Sequence, residues 1–397
     1  MRVPHILVEC IEKIASVTVG VLVPLQHLQE KGLLQVKFVR TIEVTANDIA
    51  WCDILVCVRG CEPIDFCVVQ AAKKAERKII YFLDDDLLDI PQDVSCSAYF
   101  NDRFIRKNII DLMEISDSLW AVNPNIIQKY GYLFEKSVLA DACACEIKEL
   151  QVRSDFPAKF IYAGSIDHEN IVREKLSNNI RKIVEEYGNK VEFTFIGANP
   201  YLSDVPQVNY MPYIEDYYEY KRLMNESGFH ISFAIVRSTP FYRYKYFNKF
   251  LEYASIGAIG IYTNKQPYTF IIENGVNGIL CDDDNGQWYE TMKFLIDNPK
   301  KRNEMSKEAY KMLCERFTPE VVAEQLTVLM PELVTFYAPE ILAQQIRINY
   351  KLIIMRFYVH RARMLFSQYG IVALIILPFK AAKIILKTMI GKIQKVR

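Results

Sequence analysis

Five short apolar runs alternate with helix-like segments in the first 125 residues of the chain. The runs are residues 5–8, 36–39, 54–58, 78–82 and 118–122. Apolar runs of this length, separated by helix-like stretches such as 68–77 and 105–115, are typical of the buried strands of a parallel sheet and its crossover helices. The pattern therefore predicts a doubly wound α/β fold. No GxGxxG sequence follows the first run, so a dinucleotide-dependent dehydrogenase is not favoured.

A polar segment at residues 147–157 separates these five runs from a further apolar run that begins at Lys159. The chain has 397 residues, of which 51% are hydrophobic, and this is enough for two domains with cores of their own. We predict Rossmann-like domains at residues 1–150 and 151–335 that face each other across a cleft. A helical, basic tail is predicted at residues 336–397.

Two lysines and a glutamate recur at helical spacing in the second half. Lys245, Lys249 and Glu252 stand at positions i, i+4 and i+7, so we expect them to share one helix face. Such a face suits a nucleotide sugar, because the diphosphate needs cations and the ribose diol donates hydrogen bonds to a carboxylate. A helix start just after Pro240 would add unpaired backbone N–H donors. The alternative is an ordinary solvated helix face with an i,i+4 charge pattern.

The residues from Lys249 to Gly257 are followed by an apolar strand that ends at Thr263, by a proline, and by a Gly-x-Asn-Gly sequence at 275–278. This order resembles the donor-binding half of GT-B retaining glycosyltransferases. The resemblance extends more loosely over residues 157–330. It makes the second domain the donor domain and the first the acceptor domain.

The resemblance also implies a set of donor-binding residues. Glu252 is expected to hold the nucleotide ribose, and Lys245 and Lys249 to neutralise the diphosphate. Arg237 is a further candidate cation. The remaining implied residues lie in the first loop of the donor domain or line the base: Gly164, Ser165, Gly197, Met211 and Tyr213. The family usually has a second acid eight positions before Glu252, where it contacts the donor sugar, and this chain has Tyr244 there.

Three aspartates, Asp84, Asp85 and Asp86, follow the apolar run at 78–82. Because α/β folds bind ligands at the carboxyl ends of their strands, we take Asp84 and Asp85 as candidates for catalysis or acceptor binding. Arg59, which follows the preceding apolar run, is the third catalytic candidate. Two alternatives stay open. One is the metal-binding Asp-x-Asp of a GT-A glycosyltransferase, in which carboxylates hold Mn²⁺ or Mg²⁺, and the other is simple helix capping.

The residues from 341 to 397 contain eleven Lys or Arg and no Asp or Glu. Their apolar block at 371–379 is too short to span a bilayer, which takes about 20 apolar residues. The pattern predicts that Leu365–Arg397 inserts into one leaflet and is attracted to anionic lipid. The alternatives are a core-packed helix or a partner-binding helix. Nucleic acid is not an expected partner, because the cations alternate with Ile and Leu and not with exposed aromatic residues.

Cysteine use and the first residues of the chain favour a cytoplasmic protein. The ten cysteines show no paired CxxC spacing, so a zinc site is not expected. Glu9 and Glu12 stand where a signal peptide needs an unbroken apolar core.

These observations favour a glycosyltransferase of the hexosyltransferase type at the inner face of the cell membrane. The expected reaction transfers a sugar from a nucleotide diphosphate sugar to a lipid-linked or cell-surface glycan acceptor. The resemblance implies retention of configuration, and we expect no cofactor and no required metal. The alternative, suggested by Tyr244, is a non-catalytic GT-B-like scaffold or binding protein at the membrane.

Overall fold

The computed structural model describes residues 2–144, 147, 149–150, 155–282, 285–348, 355, 359–360, 362–366 and 370. Its framework is two six-stranded parallel sheets. The first sheet consists of β1 (His5–Cys10), β2 (Gln35–Arg40), β3 (Ile54–Val58), β4 (Lys78–Leu83), β5 (Ser118–Ala121) and β6 (Lys136–Leu139). Its strand order is β2-β1-β3-β4-β5-β6.

The second sheet is also parallel throughout. Its strands are β7 (Ala158–Ala163), β8 (Val191–Ile196), β9 (Val208–Met211), β10 (Ile231–Ala234), β11 (Ile259–Thr263) and β12 (Ile279–Cys281). They follow the order β12-β11-β10-β7-β8-β9. On one face Phe160 stacks between Phe193 and Phe233, with ring centroids 4.5 and 5.5 Å apart.

Helices connect the strands in both halves. In the first half they are α1 (Ala15–Val17), α2 (Val23–Glu30), α3 (Ala46–Trp51), α4 (Pro63–Lys74), α5 (Ser97–Phe100), α6 (Arg103–Ile115) and α7 (Pro124–Tyr130). A π-helical turn at Thr18–Leu22 joins α1 to α2. In the second half they are α8 (Glu169–Val172), α9 (Asn178–Tyr187), α10 (Tyr217–Glu226), α11 (Asn248–Ser255), α12 (Asn285–Asp297), α13 (Pro299–Arg316), α14 (Pro319–Leu329) and α15 (Glu332–Thr335).

Both faces of the first sheet are buried. Along β1, Ile6 and Val8 pack into one core and Leu7 into another, as alternation of side chains across a sheet requires. In the first of these cores Phe82 meets Trp120 edge to face, with ring centroids 5.3 Å apart. A parallel sheet covered on both faces is the predicted doubly wound α/β fold, which is confirmed.

Capping residues explain where several helices begin. Asp65 accepts hydrogen bonds from the backbone N–H groups of Cys61 and Glu62, both 2.8 Å long. Pro63 then occupies the first turn of α4, where a missing N–H costs nothing. This cap starts the helix five residues before the predicted stretch at 68–77, because the apolar pattern does not register the capping residues.

The chain returns to the first half after α13. Helix α14 packs against α2, and Lys31 Nζ lies 3.2 Å from a carboxylate oxygen of both Glu320 and Glu324. Further on, the backbone N–H of Ala338 donates to Asp53 Oδ1 at 2.9 Å. The segment from α14 to Ala338 therefore connects the two halves, in addition to the connection between β6 and β7.

Most of the predicted membrane segment lies outside the residues that the structure describes. Of Leu365–Arg397, the structure describes only Leu365, Phe366 and Gly370. In the part of the chain that is described, no helix combines the length and the apolar character needed to cross a bilayer.

Candidate functional site

The lysine and glutamate segment does not form one continuous helix. A 3-10 turn at Pro240–Tyr244 is followed by extended backbone at Lys245, and α11 begins at Asn248. The amide of Asn123, from the first half, donates to the carbonyl oxygen of Lys245 at 2.7 Å, so this carbonyl serves a contact between the halves and no helical hydrogen bond. The prediction that Lys245 shares a helix face with Lys249 and Glu252 is wrong. The helical turn that begins at Pro240 is a separate 3-10 turn, and the helix that carries Lys249 and Glu252 begins at Asn248.

Lys245 instead reaches across to the first half. Its Nζ lies 3.0 and 3.1 Å from the two carboxylate oxygens of Asp85. On the other side of that carboxylate, Arg59 Nη2 is 3.7 Å from Asp85 and Arg59 Nη1 is 3.5 Å from Asp84. The three predicted catalytic residues therefore lie together, and they meet one predicted donor residue.

Arg59 is held in an uncommon backbone conformation. Its φ of 53° is in the left-handed region, which non-glycine residues seldom adopt, and such strain is concentrated at functional sites. Burial alone would lower the pKa of the guanidinium, but Asp84 and Asp85 outweigh it and raise that pKa above its ordinary value. Arg59 remains a cation beside the two acids.

Asp86 has a different environment from its two neighbours. Its fully buried carboxylate pairs with Lys129 Nζ at 2.6 Å and accepts a hydrogen bond from the Tyr130 hydroxyl. Asp86 is thus occupied within the first half. Among the described residues no cluster of His, Cys, Asp and Glu has the arrangement of a metal site.

Glu252 is the central charged residue of the second half's cleft edge. Its Oε2 lies 2.7 Å from Lys249 Nζ and accepts a hydrogen bond from the Tyr220 hydroxyl at 2.8 Å. Burial by itself raises the pKa of this carboxyl, but Lys249 and the two hydrogen bonds lower it below its ordinary value. Glu252 is therefore ionised at neutral pH and able to accept hydrogen bonds from a diol.

The carboxyl ends of β7, β8 and β9 bring four predicted residues together. The N–H of Gly164 donates to Ile196 O, and the N–H of Gly197 donates to Met211 O, both at 3.0 Å. A Cβ on Gly197 would lie 2.0 Å from the carbonyl oxygen of Gly164 and 3.6 Å from the Tyr213 ring. With its φ of +86°, Gly197 is the residue type that this close approach of two loops requires.

Ser165 and Arg237 lie beside a loop of the first half. Ser165 Oγ accepts from the N–H of Asp167 at 3.2 Å, and Arg237 Nη2 donates to Asp167 O at 2.9 Å. Arg237 also forms an ion pair with Asp93. Ser95 donates from both its N–H and its hydroxyl to the Asp167 carboxylate at 3.1 Å. The first half therefore holds the loop after β7 through Asp93 and Ser95, a contact that the sequence did not reveal.

His168, in the same loop, was not singled out in the sequence. Its Nδ1 is 2.8 Å from the Tyr162 hydroxyl, and its ring lies against Tyr242. Burial, followed by the charges of Lys245 and Lys249, lowers the pKa of His168 to about 4. His168 is thus a neutral group close to both lysines, four residues after Gly164.

A cavity of about 90 Å³ lies between the two halves. The first half contributes the segment after β1 and the segment after β6, and the second half contributes α10 and α11. Its polar lining residues are Ser16, Cys143, Lys221, Asn248, Glu252 and Ser255. Drug-sized ligands generally need pockets of roughly 300 to 1,000 Å³. A nucleotide sugar therefore requires the halves to move apart.

Comparison with protein-family models gives no match, and neither does comparison with the sequences of curated proteins. Solved structures do match. HepE from Anabaena in complex with UDP and glucose has a TM-score of 0.59 at 12% identity, over 83% of this chain and 100% of that one. Sucrose-phosphate synthase from Thermosynechococcus elongatus has a TM-score of 0.61 at 12% identity, over 83% of this chain and 99% of that one.

The chain has the GT-B fold. A third similar structure is a putative UDP-N-acetylglucosamine 2-epimerase from Listeria monocytogenes, with a TM-score of 0.54 at 10% identity, covering 83% of this chain and 96% of that one. At these identities the comparison establishes the fold alone. Since one fold hosts several reactions, the activity has to be argued from the site. The fold, two parallel sheets facing a cleft, contradicts the GT-A alternative.

Proposed function

We propose that the protein is a glycosyltransferase that moves a sugar from a nucleotide diphosphate sugar to an acceptor hydroxyl. The observation that carries this proposal is Glu252. It is an ionised carboxylate, paired with Lys249, that lines a cavity between the halves of a GT-B fold. A carboxylate next to an ammonium group matches a ribose diol next to a diphosphate.

The donor cations are positioned to receive the leaving group. In the proposed reaction the bond between the anomeric carbon and the diphosphate oxygen breaks, and its electron pair stays on the diphosphate. Lys249 and Lys245 stabilise that charge, which is the main demand of the step. Lys245 is paired with Asp85 in this structure, so donor binding exchanges a carboxylate for a phosphate.

The acceptor side is proposed to be Arg59, Asp84 and Asp85. These residues follow β3 and β4 and face the donor half through the contact between Asp85 and Lys245. There they can orient an acceptor hydroxyl, whose oxygen bonds to the anomeric carbon while its proton passes to a phosphate oxygen of the departing diphosphate. We propose this course, with retention and without a required metal, from the resemblance to retaining GT-B enzymes.

The acceptor is proposed to be a lipid-linked or cell-surface glycan at the cytoplasmic face of the membrane. The support is the basic and apolar segment Leu365–Arg397, which suits contact with anionic lipid. The test is sedimentation with anionic liposomes. The full chain is expected to pellet, and a chain that ends at Gly370 is expected to stay in the supernatant. A full chain that never pellets contradicts the membrane proposal and leaves the transfer reaction untouched.

A panel of nucleotide sugars tests the reaction itself. The purified protein is expected to release the free nucleoside diphosphate from one of them slowly, and faster with an acceptor. Lys249→Met is expected to remove this release, while the matched control Lys300→Met, an exposed lysine on α13, retains it. If no nucleotide binds, and Lys249→Met changes nothing, the protein is the non-catalytic alternative. Conversion of the sugar without transfer would indicate an epimerase.

A further inference from the structure

Lys221 is a buried lysine that the sequence did not distinguish from its neighbours. It lies on α10, and only 4% of its surface is exposed. The next residue on the same helix, Arg222, is exposed. Lysine is seldom this deeply buried unless its charge is matched.

No side chain or backbone group of the described residues matches the charge of Lys221 at close range. Among the residues that the structure describes, Lys221 forms no ion pair within 4.0 Å and no hydrogen bond. The charge of Lys221 helps to lower the pKa of Glu252. The Oε2 atom of Glu252 is already bound by Lys249 and by the Tyr220 hydroxyl.

Lys221 faces the cavity between the halves. Lys221 lines it together with Glu252, Asn248 and, from the first half, Ser16. The charged residues of the lining are Lys221 and Glu252. Lys249 is not a lining residue, but its Nζ is paired with Glu252. The group formed by Lys221, Lys249 and Glu252 therefore has one more positive than negative charge, and part of it faces the cavity.

We propose that Lys221 binds a phosphate oxygen of the donor nucleotide. The inference rests on the proposed function, because it takes the cavity to be part of the donor site. A phosphate supplies the counter-charge that Lys221 lacks, while Glu252 remains available for the ribose. Lys221 thereby joins Lys249 as a donor ligand.

The test uses calorimetry to measure the affinity of the full-length protein for a nucleoside, its monophosphate and its diphosphate. The series is measured for uridine, guanosine and adenosine. Lys221→Met keeps the length of the side chain and removes the charge. It is expected to weaken diphosphate binding about 10- to 100-fold, the range for a lost charged hydrogen bond, and to leave nucleoside binding unchanged. Lys221→Arg is expected to restore part of the loss.

Thermal unfolding separates this role from a structural one. Lys221→Met removes an unmatched buried charge, so the melting temperature without ligand is expected to rise. Arg222→Met, one residue along the helix, is the control and is expected to change neither quantity. Equal affinities for Lys221→Met and the wild type, an equal loss for nucleoside and diphosphate, or a fall in melting temperature would each overturn the inference. If the wild type binds no nucleotide, the proposed function itself fails.

Discussion

The two sheets end in cleft edges whose charges are arranged differently. At the edge of the first sheet, Asp84 and Asp85 are matched by Arg59 and by Lys245 from the other half. At the edge of the second sheet, Lys249 and Glu252 are paired, and Lys221 has no partner among the described residues. The first edge is balanced and suits a neutral ligand such as a sugar hydroxyl. The second carries surplus positive charge and suits an anion.

The largest effect is expected from Glu252→Gln. The change removes the carboxylate that accepts the ribose diol and leaves Lys249 without its ion pair. We expect kcat/KM for nucleotide-sugar turnover to fall about 100-fold, as the loss of a hydrogen-bonded charge in a site commonly does. The measurement is release of nucleoside diphosphate at subsaturating donor.

Glu226→Gln provides the control for this prediction. Glu226 is exposed at the end of α10, so its substitution leaves the donor edge intact, and turnover is expected to stay within twofold of wild type. A Glu252→Gln protein with wild-type turnover would show that the second edge is not the donor site.

The difference between the edges was only partly predictable from the sequence. Buried apolar runs marked β1, β3, β4 and β5 because burial on both faces leaves no room for polar residues. The run at 36–39 marked β2 as well, although this edge strand has no fully buried residue. Strand β6 was missed, since Lys136–Leu139 is a short edge strand with one buried residue. Local periodicity also placed Lys245 in a helix, whereas its carbonyl oxygen accepts a hydrogen bond from Asn123, more than a hundred residues away.

The candidate site was also only partly predictable from the sequence. Gly164 and Gly197, which the resemblance implied, directly follow β7 and β8, and Asp85 lies just after β4. Lys221 and His168 depend on which of several polar residues the tertiary packing buries. The sequence alone does not carry that information, because Lys221 and Arg222 are adjacent cations with opposite exposure.

The neutral state of His168 makes the donor edge sensitive to acid. Its pKa is about 4 in the folded protein and about 6.5 in an unfolded chain. The unfolded state therefore takes up the proton first as the pH falls, and stability is lost between pH 6.5 and pH 4. From pH 7 to pH 5 this group alone should cost roughly 2 kcal/mol.

Urea unfolding of the wild type and of His168→Gln at both pH values measures this cost. The glutamine variant is expected to lose less stability on acidification, by that amount. Equal losses in the two proteins would mean that His168 is protonated as readily in the folded state as in the unfolded state, and that the donor edge is open to water.

Asp85→Asn alters the contact between the two edges. It leaves Lys245 without a carboxylate, so this lysine becomes free for a phosphate, and we expect nucleoside diphosphate affinity to rise about tenfold. If Asp85 also orients the acceptor, kcat falls at the same time. Calorimetry and steady-state kinetics give the two quantities. Asp111→Asn, which removes a surface partner of Lys107, is the control. Weaker nucleotide binding would mean that Asp85 assists the donor and does not compete with it.

The smallest effect is expected from Asp93→Asn, which releases Arg237 from the first half. Half of the Asp93 side chain is exposed, and exposed ion pairs contribute about 1 kcal/mol or less. Nucleoside diphosphate affinity should therefore rise by a factor of about two to five, because Arg237 no longer has to break an ion pair before it binds a phosphate. Asp204→Asn breaks the exposed pair with Arg181, which belongs to no proposed site, and should leave the affinity unchanged. A fall in affinity for Asp93→Asn would reverse the assignment, because it would mean that the acid of the first half holds Arg237 in its binding position.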